Sequence, residues 1–158
     1  MESISRINYQ MKLKESKNIK AVLTISLEGA VKLTSSEKGC ILLLNDESNM
    51  MEVVETYNLH MNSKNFKWEY EIYKDFTNED YLVTNNLEDL KFSDKEFVKL
   101  NDLKNALIYP LKTINKEYGS LQVFNKKGQY TEEDVNTIKL FSPYILNTYI
   151  RSDKSINF

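Results

Sequence analysis

The sequence predicts an α+β domain: a central, mostly antiparallel sheet with helices from both chain ends packed on one face. Three observations carry this. Apolar stripes at spacings of three and four mark a helix near each end of the chain. Between them, short apolar runs alternate with polar turn clusters, as in strands joined by hairpins. Hairpin-linked strands pair antiparallel, whereas parallel strands need long crossovers.

The N-terminal helix is drawn by Ile19, Val22, Leu23, Ser26, Leu27, Ala30 and Val31, and it stops at "TSSEKG". A weaker stripe of Ile4, Ile7 and Met11 lies upstream, either extending that helix or forming a separate arm over residues 1–16. "GCILLLND" is too short for a helix and reads as a buried strand, turning at "DESN" into "MEVVETYNL". There Met51, Val53, Glu55, Tyr57 and Leu59 share one parity, so Glu55 either stands at an exposed strand edge or aims into a pocket. In "NFKWEYEIYKDF" helix and strand periods compete, and the offsets of Phe66, Tyr70 and Tyr73 favour a helix. "DYLVTN" is a short strand. "FSDKEFVKL" carries a capping box of Ser93 and Glu96 with a staple of Phe92 and Phe97, the start of a short helix.

"NALIYPLK" and "EYGSLQVFNKK" are strands around "TINKE", with Pro110 expected at an edge or bulge because it has no N–H to donate. "NKKGQYTEEDV" then turns the chain into a final helix, expected over about residues 132–151 and kinked at Pro143. Thr131 is its N-cap and Asp134, at the third helical position, reaches back to the cap. Tyr130 and Val135 form a staple, and Glu132, Glu133 and Asp134 meet the positive end of the helix dipole. The expected organisation is an arm over 1–16, one domain over 17–152 and a tail over 153–158.

The bulk numbers narrow the function. A chain of 158 residues, 41% hydrophobic and 28% charged, fits one soluble domain. A formal net charge of -2 argues against nucleic-acid binding, and no apolar run is long enough to span a membrane. The N-terminus has no apolar core of a secretory signal, and a lone cysteine permits no internal disulfide, so the cytoplasm is expected. One histidine rules out a histidine-based metal cluster, and neither a calcium loop nor a glycine-rich phosphate loop occurs. His60 is expected in a solvent-exposed loop. No catalytic constellation is visible, and no cofactor is required.

Three stretches together resemble the GAF domain family. "GCILLLND" looks like its first strand. "NEDYLVTNNLEDLKFSDKEFVKLNDLKNALIYPLK" is similar, piece by piece, to a common segment of strand, turn, short helix and strand. "EYGSLQVFNKKGQYTEED" looks like its last strand and the start of the last helix. The resemblance covers residues 17–151 and implies a small sensory or regulatory module, with terminal helices on one sheet face and often a ligand pocket on the other. Phosphodiesterase members carry a related pattern of Asn-Lys, a spacer, Phe, three residues and Asp-Glu. Asn125, Lys126 and Asp134 match it, while Tyr130 replaces the Phe and Val135 the Glu. The pattern implies a supporting Lys126–Asp134 pair. It does not imply cyclic-nucleotide binding, because bacterial members often keep it without that ligand. The family's glycine turn before the third strand is missing, with Asn78 near its place, and Asn85 stands where an Asp is common. A PAS domain shares the general architecture, but the long terminal helices and "NKKGQYTEED" count against it.

Strand parity gives candidate ligand residues. Leu121 and Val123 should face the helices, which turns Ser120, Gln122 and Phe124 toward a pocket face of two polar groups beside an aromatic. Tyr81, Asn85 and Tyr109 are expected to line the same space, with Trp68 and Tyr70 as a lid. Cys40, inside an apolar strand, is expected to be buried and inert. Some GAF domains reduce free methionine sulfoxide, but that chemistry needs more than one cysteine. Leu140, Tyr144 and Leu146, expected exposed on the last helix, could join Ile4, Ile7 and Met11 in an intersubunit bundle. The expectation is therefore a cytoplasmic sensory domain that binds a small molecule, forms a homodimer and signals through its terminal helices to an effector protein. With no output domain attached, a partner reads the signal or the chain is a piece of a longer one. The alternative is a ligand-free dimerisation or adaptor module.

Overall fold

The computed structural model describes residues 2–60, 67–69, 80–87 and 95–151. The upstream stripe forms its own helix, α1 (Glu2–Glu15), followed by α2 (Ile19–Leu33). The break is local: Asn18 leaves helical geometry at ψ 129° and its side chain accepts from the Lys20 N–H at 2.8 Å, an N-cap that restarts the helix. α1 docks by Leu13, which is buried in the core, and by Tyr9, whose ring meets Phe141 edge-on at 6.2 Å. Ile4, Ile7 and Met11 remain exposed.

Among the described residues six strands follow: β1 (Lys38–Asn45), β2 (Met50–Tyr57), β3 (Lys67–Glu69), β4 (Leu82–Thr84), β5 (Ala106–Lys112) and β6 (Glu117–Phe124). They form one sheet in the order β3-β2-β1-β6-β5-β4, antiparallel throughout. Helices α3 (Lys95–Leu100), α4 (Glu132–Lys139) and α5 (Ser142–Arg151) complete the described elements.

Alternation along the strands makes two apolar layers. Ile41, Leu43, Leu107, Leu111, Leu121 and Val123 pack with the buried stripes of α2, α4 and α5. Cys40, Leu42, Leu44, Ala106, Ile108 and Phe124 face the other way, with Met51, Leu87, Val98 and Leu103.

Several details differ from expectation. Residues 67–69 are extended, pairing Met51 with Trp68, where the offsets favoured a helix. β2 offers an unpaired edge there, and satisfying it overrides a weak helical period. In β2 the register slips between Ile41 and Leu42, so Val54 is an extra residue and the parity reverses. Glu55 consequently lies on the helix side and not toward a pocket, accepting from the Thr24 hydroxyl at 2.9 Å in an exposed hydrogen bond. The last helix is two helices, with Pro143 in the first turn of α5, where a missing N–H costs nothing. Leu146, expected exposed, is buried on α5 because the break resets the helical phase. Leu140 and Tyr144 are half-buried. Pro110 pairs with Ser120 on the β6 side, beyond the last β4 pair among the described residues, where β5 needs no donor on its other side. Ser93 and Phe92 of the expected capping box and staple, and Asn78, lie outside the described residues.

Candidate functional site

Among the described residues two regions bear chemistry: the sheet face away from the helices, and the rim where four strands end.

On the sheet face, β6 contributes Ser120 and Gln122, at 0% and 3% exposure, beside Phe124 at 1%. Cross-strand pairing sets Gln122 between Cys40 and Ile108, and Ser120 between Leu42 and Pro110. A polar pair is thus embedded in an apolar wall. Gln122 Nε2 donates to Ser120 Oγ at 2.9 Å, and its carbonyl oxygen accepts no hydrogen bond among the described residues. Gly119 admits β6 to this packing: a Cβ there would lie 1.9 Å from the Leu42 carbonyl oxygen. Cys40 is buried on the same face, and burial pushes its thiol far above the usual range, leaving a neutral apolar neighbour instead of a nucleophile.

The other candidate ligand residues are dispersed. Tyr109 pairs with Leu121 and lies on the helix side, so it does not line the space around Ser120 and Gln122. Adjacent residues of a strand face opposite ways, and Ile108 takes the pocket-side position. Tyr81 is 40% exposed just before β4. Trp68 pairs with Met51, a residue of the pocket-side layer; Tyr70 lies outside the described residues. Asn85 is exposed and borders the rim.

At that rim the starts of β1 and β5 meet the ends of β4 and β6 around a groove of about 370 Å³. Its floor is held by asparagines. Asn105 accepts from the Lys126 N–H at 3.0 Å and donates to the carbonyls of Lys126 and Gly128 at 3.0 and 2.8 Å. Asn125, at φ 63°, accepts from the Lys104 N–H at 2.7 Å and donates to the Asp102 carbonyl at 2.9 Å. Asn101 brackets His60 in the same way, accepting from its N–H at 2.6 Å and donating to its carbonyl at 3.0 Å. His60 itself is exposed. Sequence reasoning missed Asn101 and Asn105. The signal was there: asparagines just ahead of a strand, where a short amide can bridge backbone donors and acceptors of neighbouring segments.

From this floor the chain enters α4. The Lys126 ammonium contacts Asp134 Oδ2, with side chains 19% and 9% exposed. The same oxygen accepts from the Thr131 N–H at 2.8 Å, while Thr131 Oγ1 accepts from the Asp134 N–H at 3.2 Å, a complete capping box. Tyr130 and Val135 both enter the helix-side core. The Tyr130 hydroxyl meets Ser36 Oγ at 2.7 Å, and burial pushes its pKa well up.

The chain matches no protein-family model and no curated protein. Solved structures do resemble it. The GAF domain of a phosphoenolpyruvate-protein phosphotransferase from Coxiella burnetii superposes with a TM-score of 0.81 at 11% identity, covering 96% of this chain and 94% of that one. A segment of a methyl-accepting chemotaxis protein gives 0.72 at 19% identity, covering 93% and 96%. A far-red-absorbing domain solved with bound biliverdin gives 0.71 at 11% identity, covering 94% and 99%. The chain has the GAF fold, an α+β fold with a central antiparallel sheet. Among the described residues no helix is long and apolar enough to cross a membrane, and no group of acidic, histidine or cysteine side chains could hold a metal ion.

Proposed function

We propose that this is a cytoplasmic sensory or regulatory domain that binds a small molecule on the sheet face away from its terminal helices. The observation that carries the reading is the Ser120–Gln122 pair, embedded in an apolar wall, with the Gln122 carbonyl accepting no hydrogen bond among the described residues. A ligand with one donor and an apolar body satisfies it, the composition expected of a small-ligand site. The biliverdin-bearing neighbour supports the reading as a case of the same fold carrying a small molecule.

Signalling then requires that the ligand favour one of two arrangements of the helices. A physical link is at hand: the Tyr149 hydroxyl of α5 donates to the Leu44 carbonyl at 3.3 Å, and the Leu44 side chain belongs to the ligand-side layer. The output is read by a partner protein, and exposed Ile4, Ile7 and Met11 offer the helix face for a homodimer. A second reading, a ligand-free adaptor, is favoured by one observation: Phe124 is packed at 1% exposure where a ligand would sit. No enzymatic activity is proposed.

Native mass spectrometry of protein purified from its own cytoplasm separates the two. The sensor gives a stoichiometric small-molecule adduct that Gln122→Leu abolishes. A bare mass, with no thermal shift across a metabolite panel, sinks the sensor and leaves the adaptor.

A further inference from the structure

The rim groove is separate from the sheet face, and its lining carries more lysines than carboxylates. Lys38, Lys104, Lys126 and Lys127 border it against Glu37 and Asp102, in a chain of net charge -2. Lys126 is neutralised by Asp134. Lys38 has no such match. It is half-buried, its ammonium donates to the Asn101 carbonyl, and no carboxylate pairs with it among the described residues. A cation drawn partly out of water without a counter-ion is costly, and an anion placed beside it recovers that cost. Lys104 and Lys127 are exposed at the same groove and free to turn toward a ligand. The groove cannot easily close on itself, because Asn105 and Asn125 lock the backbone of its floor with five hydrogen bonds.

We propose that this groove binds a phosphate-bearing small molecule, with Lys38 as the anchoring cation, Lys104 and Lys127 flanking it and the Asn85 amide donating beside them. Lysines present compact point charges, which suit a tetrahedral, multiply charged oxyanion. Planar carboxylates are best held by the fork of an arginine, and no arginine borders the groove. Its volume of about 370 Å³ accommodates a small metabolite.

Calorimetric titration of the full chain with pyrophosphate at about 0.15 M salt, a concentration that screens non-specific attraction, tests this. Backbone amide shifts locate the contact. Binding is expected, with shifts centred on Lys38, Lys104 and Lys127. Lys38→Met and the pair Lys104→Glu/Lys127→Glu each weaken it about tenfold or more, the loss of a charge-assisted contact. The pair Lys20→Glu/Lys139→Glu makes the same charge change at exposed sites elsewhere and leaves affinity within about twofold. Should Lys38→Met fail to fold, the Lys104/Lys127 pair decides alone, since both are surface positions. No binding at millimolar pyrophosphate, equal loss in the Lys20/Lys139 pair, or tighter binding of citrate than of pyrophosphate overturns the proposal.

Discussion

Replacing Asp134 by alanine strips one oxygen of three contacts: the Thr131 N–H at 2.8 Å, the Thr131 hydroxyl at 3.2 Å and the Lys126 ammonium. Loss of the reciprocal cap costs about 1 kcal/mol. The remaining cost falls on Lys126, left 19% exposed with no counter-ion. A fully buried broken pair costs about 3–5 kcal/mol, and partial exposure reduces that to about 1–3. Asp134→Ala should therefore lose about 2–4 kcal/mol, a drop of about 5–15 °C in Tm for a chain of this size. Urea melts of Asp134→Asn, Lys126→Met and the double variant isolate the charge pair, with a coupling of about 1 kcal/mol expected. Zero coupling, or an Asp134→Ala variant within about 0.5 kcal/mol of the parent, a typical surface effect, would refute the assignment of this pair as the tie between β6 and α4.

Gly119→Ala sets a Cβ 1.9 Å from the Leu42 carbonyl oxygen in the middle of the sheet, so a loss of about 3 kcal/mol or more is expected in urea melts; a loss under about 1 would show that β1 and β6 can separate there freely. Leu146→Ala should cost about 2–5 kcal/mol, whereas Ile7→Ser, at a 53% exposed position, should stay within about 0.5 in dilute solution, and a reversal of that order would invalidate the placement of α5. The native Cys40 thiol should resist a disulfide reagent until urea unfolds the chain. Its raised pKa also has a sign: the folded state keeps a proton that the unfolded chain releases above about pH 8.5, so this contribution is complete below that pH and lost as pH rises. Cys40→Ala should consequently lose less stability than the parent between about pH 8 and pH 10, read from urea midpoints; Tyr130 adds a loss of the same sign at higher pH.

Much of this was legible from local rules. The capping box at Thr131 and Asp134, and the sorting of Leu121 and Val123 from Ser120, Gln122 and Phe124, depend only on short-range periods and partners. The errors arose where a distant segment decides. Val54 shifts the phase of β2 through its register with β1, which no alternation within β2 reveals, and that shift is what moved Glu55. Trp68 is in a strand because the edge of β2 recruits it. Tyr109 shares the face of its partner Leu121, which its own local sequence does not reveal. Pro143 marks a break from sequence alone, but whether a proline kinks one helix or opens a second depends on the packing of both halves, and the second helix rephases Leu146. Asn101 and Asn105 bridge segments far apart in the chain, so their roles appear only once those segments meet.

Those asparagines bear on how the molecule ages. Asparagine is among the thermally labile side chains, its amide hydrolysing to a carboxylate. At Asn105 the product would keep its bond from the Lys126 N–H yet turn an anionic oxygen toward the carbonyls of Lys126 and Gly128, where a donor stood before. Such a change adds negative charge beside the rim lysines and loosens the turn that delivers Lys126 to Asp134. A stored sample should lose its grip on phosphate and its α4 cap together, while both apolar layers are still intact. The shelf life of the domain would then be written in its turns, in the amides that bridge one stretch of backbone to another.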